Sequence, residues 1–299
     1  MLDLCIVGAP KCGTSSLFQW LTAHPQISGP ENEKELFFFM DLGHPLIEEP
    51  NVHTASIETY GMLFPDDAKR MVEGTTHYLF QKTARKHLCD MGSQPLIVAV
   101  LRDPAQRVWS SFRYTQNNLA RVDPSLSFSQ YVRWGLNGKA GQIADYVSHP
   151  GSSYVLSRDI EYSKYINYLA PWREAVGTDR LLLIEFSELV EQPRSICRRL
   201  TSVLGVDTSF YDDFNLKSQN STYETKSSRL HSLARQVGRW VPDGKIKKYA
   251  KQAYMGIATS ESVSASEEDK QALHRLQEYY LSHNQRLSRE FGVDASSWS

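Results

Sequence analysis

Cys5-Ile-Val-Gly-Ala-Pro-Lys-Cys-Gly-Thr-Ser-Ser-Leu17 is the stretch whose reading decides the fold of this 299-residue chain. An apolar run, Leu4 to Val7, ends in a glycine-bracketed turn at residues 8–13, and Thr14, Ser15 and Ser16 then open an amphipathic pattern with Leu17, Trp20 and Leu21. That order predicts a strand, an anion-cradling turn and a helix. Glycine lets the backbone approach an anion closely, and the first amides of a helix point at it with the positive end of the helix dipole. Measured against the nucleoside-triphosphatase loop, Gly8 and Gly13 have the right separation, but Thr14 stands where that motif needs its lysine. The lysine of this loop is Lys11, inside the turn, so the apparatus that holds a γ-phosphate with magnesium is incomplete. An ordinary strand-to-helix turn would use the same two glycines without any ligand.

Working outward, Pro95-Leu-Ile-Val-Ala-Val-Leu-Arg-Asp-Pro104 carries six consecutive apolar residues, Leu96 to Leu101, which is the pattern of a parallel strand buried on both faces. It ends in Arg102, and Pro104 starts a helix that carries Ser110. In open α/β sheets ligands bind beyond the carboxyl ends of the strands, so Arg102 and the Gly8 turn are expected to face one crevice. Arg102 is a forked cation suited to phosphate; the alternative is a pair with Asp103. Residues 180–185 predict a further buried strand, and residues 81–91, 193–204 and 267–291 predict helices. The tyrosines at 162, 165 and 168 predict one helix over 161–172 with a packed face. Residues 28–30 read as a turn and residues 72–78 as a short polar segment.

No shift in composition marks a boundary, so the expected organisation is one domain over 1–299. Hydrophobic residues make up 41% of the chain, the content of a globular protein, and the formal net charge is −1. That balance gives no reason to expect nucleic acid or an anionic membrane as partner. No apolar run approaches membrane-spanning length and the N-terminus carries no charged leader, which predicts a cytoplasmic protein without a membrane span. Cys5, Cys12, Cys89 and Cys197 are scattered without metal-type spacing, and no metal site is expected.

Glu31-Asn-Glu-Lys-Glu-Leu-Phe-Phe-Phe39 runs three carboxylates into three aromatics. A carboxylate beside an aromatic cluster is partly desolvated, which raises its pKa toward the range useful to a general base. A solvated turn before a core strand fits the same letters. His77 and the polar aromatic region from 113 to 157, including Tyr114, lie where an acceptor site is plausible by sequence order, and a peripheral helical layer fits the latter equally. The turn-rich basic run from Lys217 to Arg229 is of the kind that closes over an anion.

Taken together, Ile6-Val-Gly-Ala-Pro-Lys-Cys-Gly-Thr-Ser-Ser-Leu17 resembles the 5′-phosphosulfate loop of sulfotransferases that use 3′-phosphoadenosine-5′-phosphosulfate (PAPS), and Leu101-Arg-Asp-Pro-x-x-Arg-x-x-Ser110 resembles their 3′-phosphate motif. The motifs stand in the family's order, about ninety residues apart. The resemblance runs nearly end to end, and His24-Pro with Lys34-Glu-Leu-Phe-Phe-Phe39 is most similar to the branch containing the heparan-sulfate-type glycan sulfotransferases and their bacterial relatives. It implies an α/β, P-loop-NTPase-like three-layer fold with a central parallel sheet flanked by helices. It implies PAPS as donor, adenosine 3′,5′-bisphosphate (PAP) as product, no metal, and a glycan or small-molecule acceptor.

Residue by residue, the resemblance gives Glu35 as general base, with Glu33 as the alternative because the register can slip by two, and Lys11 as the group that stabilises the departing phosphate. Pro10, Lys11, Cys12, Gly13, Thr14, Ser15 and Ser16 would hold the 5′ end of the donor. Arg102 and Ser110 would hold the 3′-phosphate, with Lys226, Ser227, Ser228 and Arg229 closing over it. Glu73, His77 and Tyr114 fall on the acceptor side. Phe37 stands where a histidine is common and Gly74 where the glycan enzymes often have lysine, which leaves the acceptor open among carbohydrate, small alcohol, phenol and amine. A nucleotide kinase or a non-catalytic nucleotide-binding module are the readings from other classes.

Overall fold

The computed structural model describes residues 1–31, 33–65, 67–216 and 265–298, together with the backbone of two short paired strands, 224–225 and 259–260. In chain order the main sheet is built from β1 (Leu2–Gly8), β2 (Ile27–Ser28), β3 (Arg70–Glu73), β4 (Leu96–Leu101) and β5 (Leu181–Glu185). All four neighbouring pairs are parallel and the spatial order is β2-β3-β1-β4-β5. β1 therefore sits where the strand order reverses, with the chain going to β3 on one side and to β4 on the other. Leu4 to Val7 and Ile97 to Leu101 are fully buried. Each such aliphatic side chain is worth about 1.5–3 kcal/mol of burial, which fixes these two strands at the centre.

The sheet is flanked by α1 (Thr14–Thr22), α2 (Ile57–Gly61), α3 (Lys82–Asp90), the start of α4 (Pro104–Arg113), and, after a second compact unit, α7 (Tyr165–Val176), α8 (Phe186–Glu191), α9 (Pro193–Val203) and α10 (Phe210–Asp213). Asp103 caps α4 by accepting from the amides of Ala105 (2.8 Å) and Gln106 (3.3 Å), with Pro104 at the first helical position. Buried Trp172 on α7 donates from its indole to the carbonyl of Leu79 at 3.0 Å. This first unit comprises residues 1–107, 164–220 and 280–299.

Residues 108–163 and 221–279 form the second unit. It contains the remainder of α4, a π-helical turn at Tyr114–Asn118, α5 (Phe128–Leu136), a 3-10 turn at Ala140–Tyr146, α6 (Pro150–Tyr162) and the first half of the long helix α11 (Glu267–Phe291). Phe112, Phe128 and Tyr131 pack as one aromatic group, and the Tyr131 hydroxyl donates to the carbonyl of Leu156 at 3.0 Å. The region expected to be polar cover or helical layer is helical.

Three local expectations change. Ser28, expected to start a turn, instead ends a two-residue strand with Ile27, and residues 70–73 are a strand that takes in the first two residues of the expected polar segment. Arg70 and Met71 are recruited by Asp3 of β1: its carboxylate accepts from the Met71 amide at 2.8 Å and lies 3.4 Å from the Arg70 guanidinium. The single helix expected over 161–172 is two, because the amide and hydroxyl of Ser163 both donate to the Asp159 carbonyl and Lys164 turns the chain at ψ 66°. By contrast α11 has the bounds the sequence predicts. Among the described residues no helix is long and apolar enough to cross a membrane, and no group of three or more His, Cys, Asp or Glu could hold a metal ion.

Candidate functional site

The turn after β1 is shaped by what packs behind it. A Cβ on Gly8 would lie 2.8 Å from Cβ of Leu79 and 3.0 Å from the carbonyl oxygen of Thr76, so only glycine allows the 3-10 turn Thr76–Phe80 to cross there. Gly13 adopts φ 80° and its added Cβ would meet Leu189 at 3.0 Å and Phe186 at 3.1 Å, so a side chain is opposed by both backbone and packing. Gly13 caps α1 with no side-chain hydrogen bond, and its carbonyl accepts from the amides of Ser16 (3.0 Å) and Leu17 (3.2 Å), so the amides of Thr14 and Ser15 are the ones that open the helix ahead of its ladder. Lys11, in the left-handed region at φ 68°, and Pro10 and Ser15 are half-buried, whereas Thr14 and Ser16 are buried. An uncapped helix start beside a lysine and three hydroxyls is a donor set that fits an anionic group such as a phosphosulfate. Cys12 contributes backbone only: its thiol is buried 3.8 Å from the Tyr165 hydroxyl, and burial pushes it up from its ordinary pKa.

Glu35 is tied to Thr76. Its Oε1 accepts from the Thr76 hydroxyl at 3.1 Å and from Lys34 Nζ at 2.7 Å, and its side chain is 27% exposed. Thr76 thus bonds the candidate base through its hydroxyl, and its carbonyl is one of the groups that a side chain at Gly8, where the anion turn opens, would strike. Lys34 also fills the space beside Gly74, where a Cβ would lie 3.1 Å from Lys34 Cε. Glu33 is exposed, and the Glu48 carboxyl is raised by partial burial and, secondarily, by the charge of Glu33.

Glu73, at the carboxyl end of β3, is completely buried. Its Oε2 accepts from the Tyr60 hydroxyl at 2.5 Å and its Oε1 from Thr75 at 2.6 Å. Burial pushes the Glu73 carboxyl up to about 7, opposed by the hydroxyls of Thr75, Tyr60 and Tyr78 and assisted by the charge of Glu35. Both oxygens are engaged by protein hydroxyls and the residue is closed from solvent. His77 is likewise buried, with ring centroids of Phe80, His44 and Phe37 at 6.1, 6.3 and 6.5 Å.

Arg102, at the carboxyl end of β4, is half-buried, with its guanidinium carbon 4.8 Å from the centroid of the Phe186 ring. That ring is the one Gly13 packs against. A second link joins the same two elements: the Tyr165 hydroxyl donates to the Arg102 carbonyl at 2.9 Å and stands 3.8 Å from Cys12. Sequence placed Tyr165 on a packed helix face and did not single out Phe186, since an aromatic on a packed helix carries the same apolar signal whether it fills a core or lies beside a site. Ser110 on α4 and Tyr114 in the π-helical turn are half-buried and belong to the second unit. Lys226, Ser227, Ser228 and Arg229 lie outside the described residues.

The first unit therefore brings an anion turn, a carboxylate and an arginine to the carboxyl ends of β1, β3 and β4, joined by Thr76, Phe186 and Tyr165. Comparisons with known proteins bear on the fold and the family of the chain. A bacterial sulfotransferase crystal structure from Alicyclobacillus acidocaldarius superposes with a TM-score of 0.65 over 100% of this chain and 98% of its own, at 21% identity, and shares the P-loop-NTPase-like fold expected from the sequence. The bifunctional heparan sulfate N-deacetylase/N-sulfotransferase 1 of Caenorhabditis briggsae is 24% identical over 207 residues, 68% of this chain and 22% of the relative. Mouse heparan sulfate glucosamine 3-O-sulfotransferase 3B1 is 25% identical over 244 residues, 79% of this chain and 56% of the relative. The chain spans about a quarter to a half of the length of these curated relatives. The family model described as "Sulfotransferase domain" matches from residue 2 to residue 266, across both compact units, and the chain belongs to the sulfotransferase family.

Proposed function

We propose that the chain transfers a sulfonate group from PAPS to an acceptor hydroxyl, that of a carbohydrate first among the candidates. The observation that carries this reading is the Thr76 bridge, which sets the Glu35 carboxylate beside the anion turn within one unit. When bound, PAPS supplies an activated sulfonate on a good phosphate leaving group. The chain's own residues do the rest. Glu35 accepts the acceptor's hydroxyl proton as the acceptor oxygen forms its bond to sulfur. Lys11, the first amides of α1 and the hydroxyls of Thr14, Ser15 and Ser16 stabilise the electron pair left on the phosphate oxygen as its bond to sulfur breaks. Proton, sulfonate and leaving electron pair are all accounted for without a further reactant.

Arg102, steadied over Phe186, is the proposed 3′-phosphate ligand, and Ser110 and the 226–229 run keep the roles the motif gives them. Glu35 is preferred to Glu33 as base because it accepts from the Thr76 hydroxyl, whereas Glu33 is exposed. The two compact units are taken as parts of one sulfotransferase domain, since the family match runs through both. The carbohydrate acceptor is supported by the heparan sulfate relatives, whose names divide between nitrogen and oxygen acceptors. A screen with 35S-labelled PAPS in the presence of a chelator is expected to label the hydroxyls of N-substituted glycosaminoglycan oligosaccharides in preference to phenols and simple amines. Labelling of phenols alone would overturn the carbohydrate assignment while leaving the transfer reaction standing.

A further inference from the structure

The Glu73 network extends beyond the groups the transfer reaction uses. Thr75 has one hydroxyl proton, and it is donated to Glu73 Oε1 at 2.6 Å. Its lone pairs accept from two consecutive amides, Leu36 at 2.8 Å and Phe37 at 3.4 Å, the residues immediately after Glu35. Phe37 sits at φ 50°, a conformation that disfavours a bulky side chain, so the turn needs holding. A second strap lies one step further on, where the amide of Phe39 donates to the Tyr78 hydroxyl at 3.1 Å. A carboxylate accepts only, whereas a carboxylic acid also donates, so the ionisation of Glu73 decides which way the Thr75 proton points.

We propose that Glu73 is a positioning residue of the transfer reaction: by orienting the single proton of Thr75 it locks the Leu36 and Phe37 amides and thereby holds Glu35 at the reacting hydroxyl. This rests on Glu35 being the base. The titratable and charged groups around Glu73 are Tyr60 from α2, Tyr78 from the 3-10 turn, Cys5 from β1, and Glu35 and Lys34 from the segment it supports. None of the four from Tyr60 to Glu35 offers a compensating positive charge, and Lys34 is already paired with Glu35. The lift of the carboxyl to about 7 then places the Thr75 switch in the physiological range, with the ionised, locked form dominant above it.

Glu73→Gln removes the ionisation while keeping the shape. It is expected to lower kcat about tenfold or more with KM for PAPS within about twofold, and to abolish an inflection near pH 7 in the wild-type kcat profile, where the rate rises with pH. Exchange of the Leu36 amide should quicken in the same variant. A readout independent of activity comes from thermal unfolding. The native carboxyl binds its proton more tightly than the ordinary value of 4.5, so the stability of the wild type relative to Glu73→Gln should fall as pH rises from about 4.5 to 7 and stay level above. Thr75→Val should reproduce the kcat loss and Thr75→Ser restore most of it, which keeps the question answerable if Glu73→Gln does not fold. Glu73→Gln with wild-type kcat and an unchanged pH profile, or Thr75→Val as active as Thr75→Ser, would overturn the positioning role. If Glu35→Ala stays active, it is the base assignment that fails; if Glu35→Ala is inactive and Glu73→Gln is normal, only the positioning role fails.

Discussion

Replacing Glu35 with alanine is expected to cut kcat for sulfonate transfer by about 10²–10⁴-fold, the usual worth of a positioned general base, while the Kd for PAP changes by no more than a few-fold. The separation follows from the contacts. Glu35 is held by Thr76 and Lys34, neither of which is part of the anion turn itself, so its loss removes the proton acceptor without opening the loop at residues 8–13. Glu33→Ala, a change at an exposed carboxylate, should be near wild type. Initial rates with saturating PAPS, set beside calorimetric PAP binding, check both. Full activity in Glu35→Ala and Glu33→Ala together would remove the carboxylate mechanism.

Arg102→Ala is expected to weaken PAP binding by about 10–150-fold, because a charge-assisted phosphate contact is worth about 1.5–3 kcal/mol and each 1.4 kcal/mol is tenfold. Adenosine 5′-phosphate, lacking the 3′-phosphate, should lose little, so the preference between the two nucleotides should collapse. Arg102→Lys should fall between, since an ammonium neither forks onto a phosphate nor stacks on Phe186 as the guanidinium does. Equal losses for both nucleotides would mean that Arg102 supports the fold of the loop through its Tyr165 and Phe186 neighbours rather than reading the 3′ position.

Much of this arrangement was legible because it is written in local runs. β4, β5 and α11 announce themselves as an unbroken apolar stretch or a long amphipathic one, and the glycines at 8 and 13 with Lys11 between them mark the turn. β3 was not legible, because its register depends on Asp3 from a strand nearly seventy residues away, and no window around Arg70 to Glu73 contains that partner. The same distance hides the state of Glu73. A glutamate in a polar segment reads as solvated, and only the folded chain brings Tyr60 and Thr75 onto its two oxygens and closes it from water. The place of Tyr165 and Phe186 beside the site escaped for a different reason: lying beside a phosphate site and filling a core ask for the same aromatic side chain, and sequence periodicity reports only the packing.

The proposed dependence on a 3′-phosphoadenosine donor is tested most directly by calorimetric titration of the unmodified protein with PAP in the presence of a chelator, against ATP with magnesium. Saturable binding of PAP without metal, tighter than that of magnesium ATP, is predicted from Thr14 standing in the place of the loop lysine and from Arg102 at the end of β4. Binding of magnesium ATP with none of PAP would contradict it and return the turn to the nucleoside-triphosphate class.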